Sequence, residues 1–201
     1  MTQKKLMPIA KRFRGLLPIV IDVETSGLNP KTDTLLEIAM VTLTRDQLGI
    51  FRRDQTYAYH VEPFSGAHLD KEALEITKID PFYPLRYAIP ETQALHRIFE
   101  KIKIQLELSG CHRAVLVGHN AWFDLSFIQM AAKRCHITSI PLHSFTTLDT
   151  ATLSAVALGE TVLARAVRRI RLSFDVNQAH SAIYDVQKTA DLFCYIVNHY
   201  L

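Results

Sequence analysis

Asp22 and Glu24 stand two residues apart where an apolar run turns acidic, in Val20-Ile21-Asp22-Val23-Glu24-Thr25-Ser26-Gly27. Successive side chains of an extended strand point to opposite faces, so the two carboxylates leave one surface together. Neighbouring like charges raise each other's pKa and cost stability unless a cation neutralises them, and hard divalent ions prefer oxygen ligands. A metal site is one reading. The other is a strand that ends at Asp22, with both acids solvated in the turn marked by Ser26-Gly27 and Asn29-Pro30.

Two further stretches carry candidate chemistry. Asp124 closes Gly118-His119-Asn120-Ala121-Trp122-Phe123-Asp124, which follows the apolar run Ala114–Val117. A polar break at the carboxyl end of a strand is where α/β sheets hold their sites. Asp124 also falls in the first turn of the next helix, where the helix dipole alone would favour a carboxylate. In His180-Ser181-Ala182-Ile183-Tyr184-Asp185, Ser181 is a natural N-cap, which leaves His180 in a loop and fixes Asp185 in the opening turns of a helix. Histidine changes charge near neutral pH and suits a general base that takes a proton from water; a solvated loop histidine is the alternative.

The elements that would position these residues follow from periodicity. Strands are expected over 18–24, 35–44 and 56–61, joined as an antiparallel meander, the third alternating Tyr57, Tyr59 and Val61 against Ala58 and His60. A short helix over 70–78 precedes a loop containing Pro81, Pro84 and Pro90, the last suited to the first turn of a helix over 91–108. Ala114–Val117 reads as a strand buried on both faces, followed by a helix over 122–134 and a strand over 145–148. Short helices near 150–157 and 161–169 lead to a last helix over 182–200, whose apolar stripe includes Val186, Ala190, Phe193 and Val197. A strand meander followed by alternating helices and strands predicts an α/β fold, a mixed five-stranded sheet with helices on both faces. Residues 1–15 read as a basic N-terminal arm carrying Lys4, Lys5, Lys11, Arg12 and Arg14, and 16–201 as one domain.

Composition excludes several classes. With 201 residues, 48% hydrophobic and 21% charged, the chain suits one domain with a substantial core. A net charge of +3 argues for nucleic acid only where the positive residues cluster. Cys111, Cys135 and Cys194 are odd in number and widely spaced, which fits a reducing cytoplasm better than a disulfide framework. No apolar run approaches the roughly 18 residues that span a bilayer, so a cytoplasmic protein without a membrane partner is expected.

Taken together, Asp22-x-Glu24, His119-Asn120-x-x-Phe123-Asp124 and His180-x-x-x-x-Asp185 resemble, in type and order, the three motifs of the DEDDh 3′→5′ exonuclease superfamily. From Phe13-Arg14-Gly15 through His60-Val61-Glu62-Pro63-Phe64 and Ser109-Gly110-Cys111 to Gln178-Ala179-His180-Ser181-Ala182, the chain is similar to the ribonuclease T branch of that superfamily. The resemblance implies a ribonuclease H-like fold, with 16–201 as the exonuclease domain. It implies Asp22, Glu24, Asp124 and Asp185 as ligands of two Mg²⁺ ions, with Mn²⁺ able to substitute, and His180 as general base. Asp22 would bridge the ions, with Glu24 and Asp185 on one and Asp124 on the other. Two such ions, about 4 Å apart, can serve the attacking and leaving oxygens of phosphodiester hydrolysis. The implied activity is trimming of 3′ ends of structured RNAs such as tRNA, releasing nucleoside 5′-monophosphates, with single-stranded DNA also a substrate.

The same resemblance implies that Phe123 and Phe145 stack on the terminal bases and that Glu72 makes a polar contact to them. Leu28 and Ile76 stand where the best-known members carry Phe. Core packing beside the motifs is the alternative for the two phenylalanines. Arg12, Arg14 and Arg113 match a patch that grips the RNA backbone, placed in that family against the active site of a second subunit, so a homodimer is implied. Arg165, Arg168, Arg169 and Arg171 crowd one segment and are either a further RNA contact or a solvated face. Asp149 reads as an N-cap and Glu37 as a strand-edge residue. The rival functions are a DNA proofreading exonuclease and a non-catalytic RNA-binding module.

Overall fold

A computed structural model describes residues 9–200. Strands β1 (Leu16–Thr25), β2 (Leu35–Arg45) and β3 (Phe51–His60) form the antiparallel meander, and β4 (Arg113–Gly118) and β5 (Leu142–Asp149) extend the sheet in parallel. The order is β3-β2-β1-β4-β5, which puts β1 at the centre with both edges paired. Seven α-helices and one short 3-10 helix (Pro84–Arg86) complete the described chain: α1 (Ile9–Arg12), α2 (Lys71–Thr77), α3 (Glu91–Ser109), α4 (Trp122–Arg134), α5 (Thr150–Leu158), α6 (Leu163–Arg169) and α7 (Ala182–Tyr200).

The alternation of β1 divides the core. Leu17, Ile19, Ile21 and Val23 pack with Leu95, Ile98, Phe127 and Ile128 under α3 and α4. Val20, on the opposite face, packs with Val117, Val186, Ala190 and Phe193 under α7. Asp22 and Glu24 have the parity of Val20, so they emerge on the α7 side, at the end of the central strand. Helices therefore cover both faces, as periodicity predicts, and α6 packs on the outside of α7 through Ala166, Val167, Leu192 and Ile196. Among the described residues no single helix is long and apolar enough to cross a membrane.

Three expectations about elements are corrected. The end of the expected basic arm is docked on the domain: Ile9–Arg12 is helical, Phe13 lies 6.0 Å from the Phe51 ring, and Arg12 donates to the Val197 carbonyl at 2.7 Å. Apolar anchors between the basic residues dock this segment; Lys4 and Lys5 lie outside the described residues. Strand β3 starts at Phe51 instead of 56, because the polar stretch Arg52-Arg53-Asp54-Gln55 lies on an exposed edge, where a strand needs no apolar alternation. Strand β5 starts at Leu142 instead of 145, its first residue pairing with Ala114.

The turn after β1 is built tightly. Ser26 Oγ donates to the His68 carbonyl at 2.6 Å and accepts from the Thr34 amide, while Asp70 N–H donates to the Ser26 carbonyl. These bonds fasten the start of α2 to the end of β1. A Cβ at Gly27 would lie 2.2 Å from Asp33 Oδ2, the carboxylate that accepts from the Asn29 amide and faces His68. Gly27→Ala is accordingly expected to cost about 1–3 kcal/mol, read by urea unfolding, and to raise KM for RNA by moving Leu28 and α2.

Candidate active site

A cleft of about 540 Å³ opens where β1 and β4 end and α4 and α7 begin, and its walls include Asp22, Glu24, Asp124, His180 and Asp185. All five expected catalytic residues thus come together, from three stretches far apart in sequence. β1 runs on to Thr25, with Asp22 half-buried and Glu24 9% exposed, so neither is the solvated turn residue that the alternative reading required.

Two of the four carboxylates, Asp124 and Asp185, are held by backbone amides. The Val23 amide donates to Asp124 Oδ1 at 3.0 Å, joining the opening turn of α4 to β1. Gly118 permits this approach, since a Cβ there would lie 3.1 Å from both Asp124 Oδ2 and the Ala121 backbone. The His180 amide donates to Asp185 Oδ2 at 2.9 Å across the start of α7, and His180 itself takes φ +64°, the left-handed region. A ring nitrogen of His180 and carboxylate oxygens of Glu24 and Asp185 all lie within 4.8 Å of one another.

The electrostatics ask for a cation. Burial, then the charges of Asp124, Glu24, Asp185 and Glu37, hold Asp22 well above the ordinary carboxylate range. Burial, then Asp185, Glu37 and Asp124, push Glu24 up to about 8. Burial carries Asp124 to about 8 against the opposing bond from Val23, and raises Asp185 against its bond from His180. Asp185 Oδ1 is buried without a hydrogen-bond partner. Four convergent carboxylates with an orphaned oxygen form an all-oxygen donor set, which fits a hard divalent cation and would be strongly unfavourable without one. The acidic cluster is a candidate metal-binding site.

The cleft's two histidines differ in freedom. His119 donates from Nε2 to the Thr161 carbonyl at 2.8 Å and has Nδ1 3.0 Å from Thr150 Oγ1, with burial lowering its pKa. It ties the β4–α4 loop to the loop before α6. His180 is exposed and remains the histidine able to meet a water in the cleft.

Two residues outside the motif set do more than expected. Asp149 caps α5 by accepting from the Ala151 and Thr152 amides, as the N-cap reading holds, but also accepts from the Asn120 and Ala121 amides and so braces the loop that carries Asp124. Glu37 is not merely an edge residue: it pairs with Glu24 across β1 and β2, accepts from the Ala182 amide at 3.1 Å and faces His60 Nδ1 at 3.0 Å. It holds the first residue of α7, between His180 and Asp185. The sequence signal for it was the hairpin register that sets Glu37 opposite Glu24. Glu37→Gln, which keeps the acceptor and removes a charge facing Asp22, is expected to be at least as stable as wild type at pH 8 without metal. Glu37→Ala should fall below the Gln variant by about 1 kcal/mol in urea unfolding.

The remaining expected contacts do not gather in one place. Leu28, Glu72 and Ile76 line one groove of about 490 Å³ beside the turn after β1. Phe123 lies in the catalytic cleft, its ring 4.9 Å from Phe127, and Phe145 on β5 is 81% exposed, which rules out a core role for it. Arg14 and Arg113 are exposed at the starts of β1 and β4, the opposite end of these strands from the carboxylates. Arg12 instead lies against the fold, its guanidinium 5.3 Å from the Phe51 ring centre. Arg165, Arg168, Arg169 and Arg171 are exposed on and just after α6.

Comparison with known proteins agrees with this arrangement. The RNase T family model, described as an exonuclease, matches residues 19–193. The chain is 51% identical over 197 residues to ribonuclease T of Vibrio parahaemolyticus, covering 98% of this chain and 92% of that protein. It is 50% identical over 192 residues to ribonuclease T of Buchnera aphidicola subsp. Baizongia pistaciae, covering 96% and 88%. Among solved structures, the nuclease domain of 3′hExo, a DEDDh family member bound to rAMP, matches with a TM-score of 0.70 at 16% identity over 90% of each chain. E. coli Exonuclease I in complex with a dT13 oligonucleotide matches with a TM-score of 0.68 at 17% identity, over 89% of this chain and 40% of that one.

Proposed function

The chain belongs to the RNase T exonuclease family and is a 3′→5′ exoribonuclease, and from that premise we propose that it trims the 3′ ends of structured RNAs such as tRNA with Mg²⁺ as its metal. The observation that carries the mechanism is the convergence of four carboxylates and one exposed histidine in a single cleft. Asp22, Glu24 and Asp185 would hold one ion, and Asp22 with Asp124 the other. Bound Mg²⁺ would supply Lewis acidity, easing deprotonation of the attacking water and neutralising charge on the leaving oxygen. His180 takes the water's proton at a ring nitrogen. The new P–O bond forms as the bond from phosphorus to the 3′ oxygen of the preceding nucleotide breaks, which releases a nucleoside 5′-monophosphate and leaves a 3′ hydroxyl.

Phe123 and Phe145 would stack on the terminal bases, with Glu72 as the polar contact, while Leu28 and Ile76 offer aliphatic surface that lacks the π contribution. Arg14 and Arg113 would grip the RNA backbone away from the scissile phosphate. At about 3.3 Å per residue, β1 alone sets Leu16, beside Arg14, about 20 Å from Asp22. In our reading the chain is a homodimer in which each patch serves the other cleft. Mixing Asp22→Asn chains with Arg14→Gln/Arg113→Gln chains should then give more activity than the two separately. The arginines of 165–171 extend the RNA path in this reading, and Arg168→Gln with Arg169→Gln should weaken binding and flatten its salt dependence; an unchanged slope would sink that role. Three free thiols suit a cytoplasmic location. Initial rates on tRNA with a 3′ overhang and on mismatched primer DNA test the substrate: faster turnover of the DNA would favour proofreading instead.

A further inference from the structure

The first residue of α4 is the chain's single tryptophan, and Trp122 is 68% exposed in the wall of the catalytic cleft. An indole is among the largest apolar surfaces a chain can bury, and leaving it in water forgoes that gain. This ring is nevertheless braced. It meets Phe123 edge-on, with centroids 6.3 Å apart, and Phe123 packs at 4.9 Å on Phe127, which is fully buried. A line of rings therefore runs from the core to the open cleft, so the indole is supported from behind while most of its surface stays accessible. Leu163 of α6 and His119 line the same cleft, as do the carboxylates to which a phosphodiester must come.

We propose that the indole of Trp122 is a stacking platform for a nucleobase in the single-stranded 3′ segment of the RNA, separate from the groove of Leu28, Glu72 and Ile76. The proposal rests on reading this cleft as the site of the RNA 3′ end. Every base has a π-face, so such a contact contributes affinity with little sequence selection. It also adds an aromatic surface to an enzyme whose neighbouring groove presents aliphatic Leu28 and Ile76.

The single indole makes the test direct. In a His180→Ala chain, which consumes its ligand at least about a hundredfold more slowly, titration with a short single-stranded ribo-oligonucleotide is expected to quench tryptophan fluorescence saturably. The midpoint should match that from anisotropy of the same RNA labelled at its 5′ end. In the otherwise unmodified enzyme, Trp122→Ala should raise KM on the order of tenfold with kcat changed by less than about threefold, and Trp122→Phe should recover most of the loss. If the labelled RNA binds but fluorescence does not respond and Trp122→Ala leaves KM within about twofold, the proposal is overturned while the reading of the cleft stands. If the unmodified enzyme neither binds nor shortens the RNA, that reading fails and takes the proposal with it.

Discussion

Asp22→Asn is expected to lower RNA turnover by at least about a thousandfold and, at the same time, to stabilise the metal-free protein at alkaline pH. The first effect follows from removing the carboxylate that would serve both ions, a loss of several kcal/mol of transition-state stabilisation. The second follows from linkage. Burial and mutual repulsion hold Glu24 and Asp124 at about 8 and Asp22 well above its ordinary range, so their folded values are raised above the unfolded ones. Stability from a raised carboxylate is fully present below its unfolded value, near 4, and is lost as pH climbs through the folded value. The metal-free enzyme should therefore melt lower at pH 8.5 than at pH 6, and Asp22→Asn should narrow that gap. Added Mg²⁺ should raise the melting temperature more at pH 8.5 than at pH 6, because at the lower pH protons occupy the same oxygens. Thermal scans of both proteins in EDTA and in Mg²⁺ check all of this, and a wild-type chain that melts higher at pH 8.5 than at pH 6 without metal would contradict the cluster's electrostatics.

His180→Ala carries the second large effect, a fall in kcat of about 10²–10⁴, the range for a positioned general base. A ring nitrogen of His180 lies within 4.8 Å of oxygens of Glu24 and Asp185, so the position alone would also allow it to be a ligand. Two measurements separate these roles. If His180 is the base, the Ala variant keeps the Mg²⁺-dependent rise in melting temperature, and imidazole added in solution restores part of the rate. If it is a ligand, the thermal rise shrinks and imidazole does not selectively recover turnover. Asp22→Asn should not respond to imidazole under either reading.

The carboxylates of the cleft were legible because each is tied to a local signal. Asp22 and Glu24 share a strand face by parity, Asp124 follows an apolar strand, and Asp185 follows a serine of the type that opens helices. What escaped reading depends on contacts between distant segments. Glu37 looked peripheral until the register of β1 and β2 set it opposite Glu24 and the Ala182 amide arrived from the far end of the chain. Sequence singles out His180 as the base, but the tie of His119 to the Thr161 carbonyl and Thr150 hydroxyl, which leaves His180 the open histidine, was not legible. Arg12 matched a basic patch by type, yet its guanidinium lies over Phe51 and reaches Val197, which fixes the start of the described chain against β3 and α7. From sequence Trp122 reads only as the start of a helix, because exposure is not written in residue type.

Digestion of a 5′-labelled RNA with a single-stranded 3′ overhang, in Mg²⁺ and in EDTA, with products resolved nucleotide by nucleotide, tests the central claim most directly. The account predicts a ladder shortening from the 3′ end, one nucleoside 5′-monophosphate at a time, in Mg²⁺ alone. Internal cuts, or equal digestion in EDTA, would contradict it.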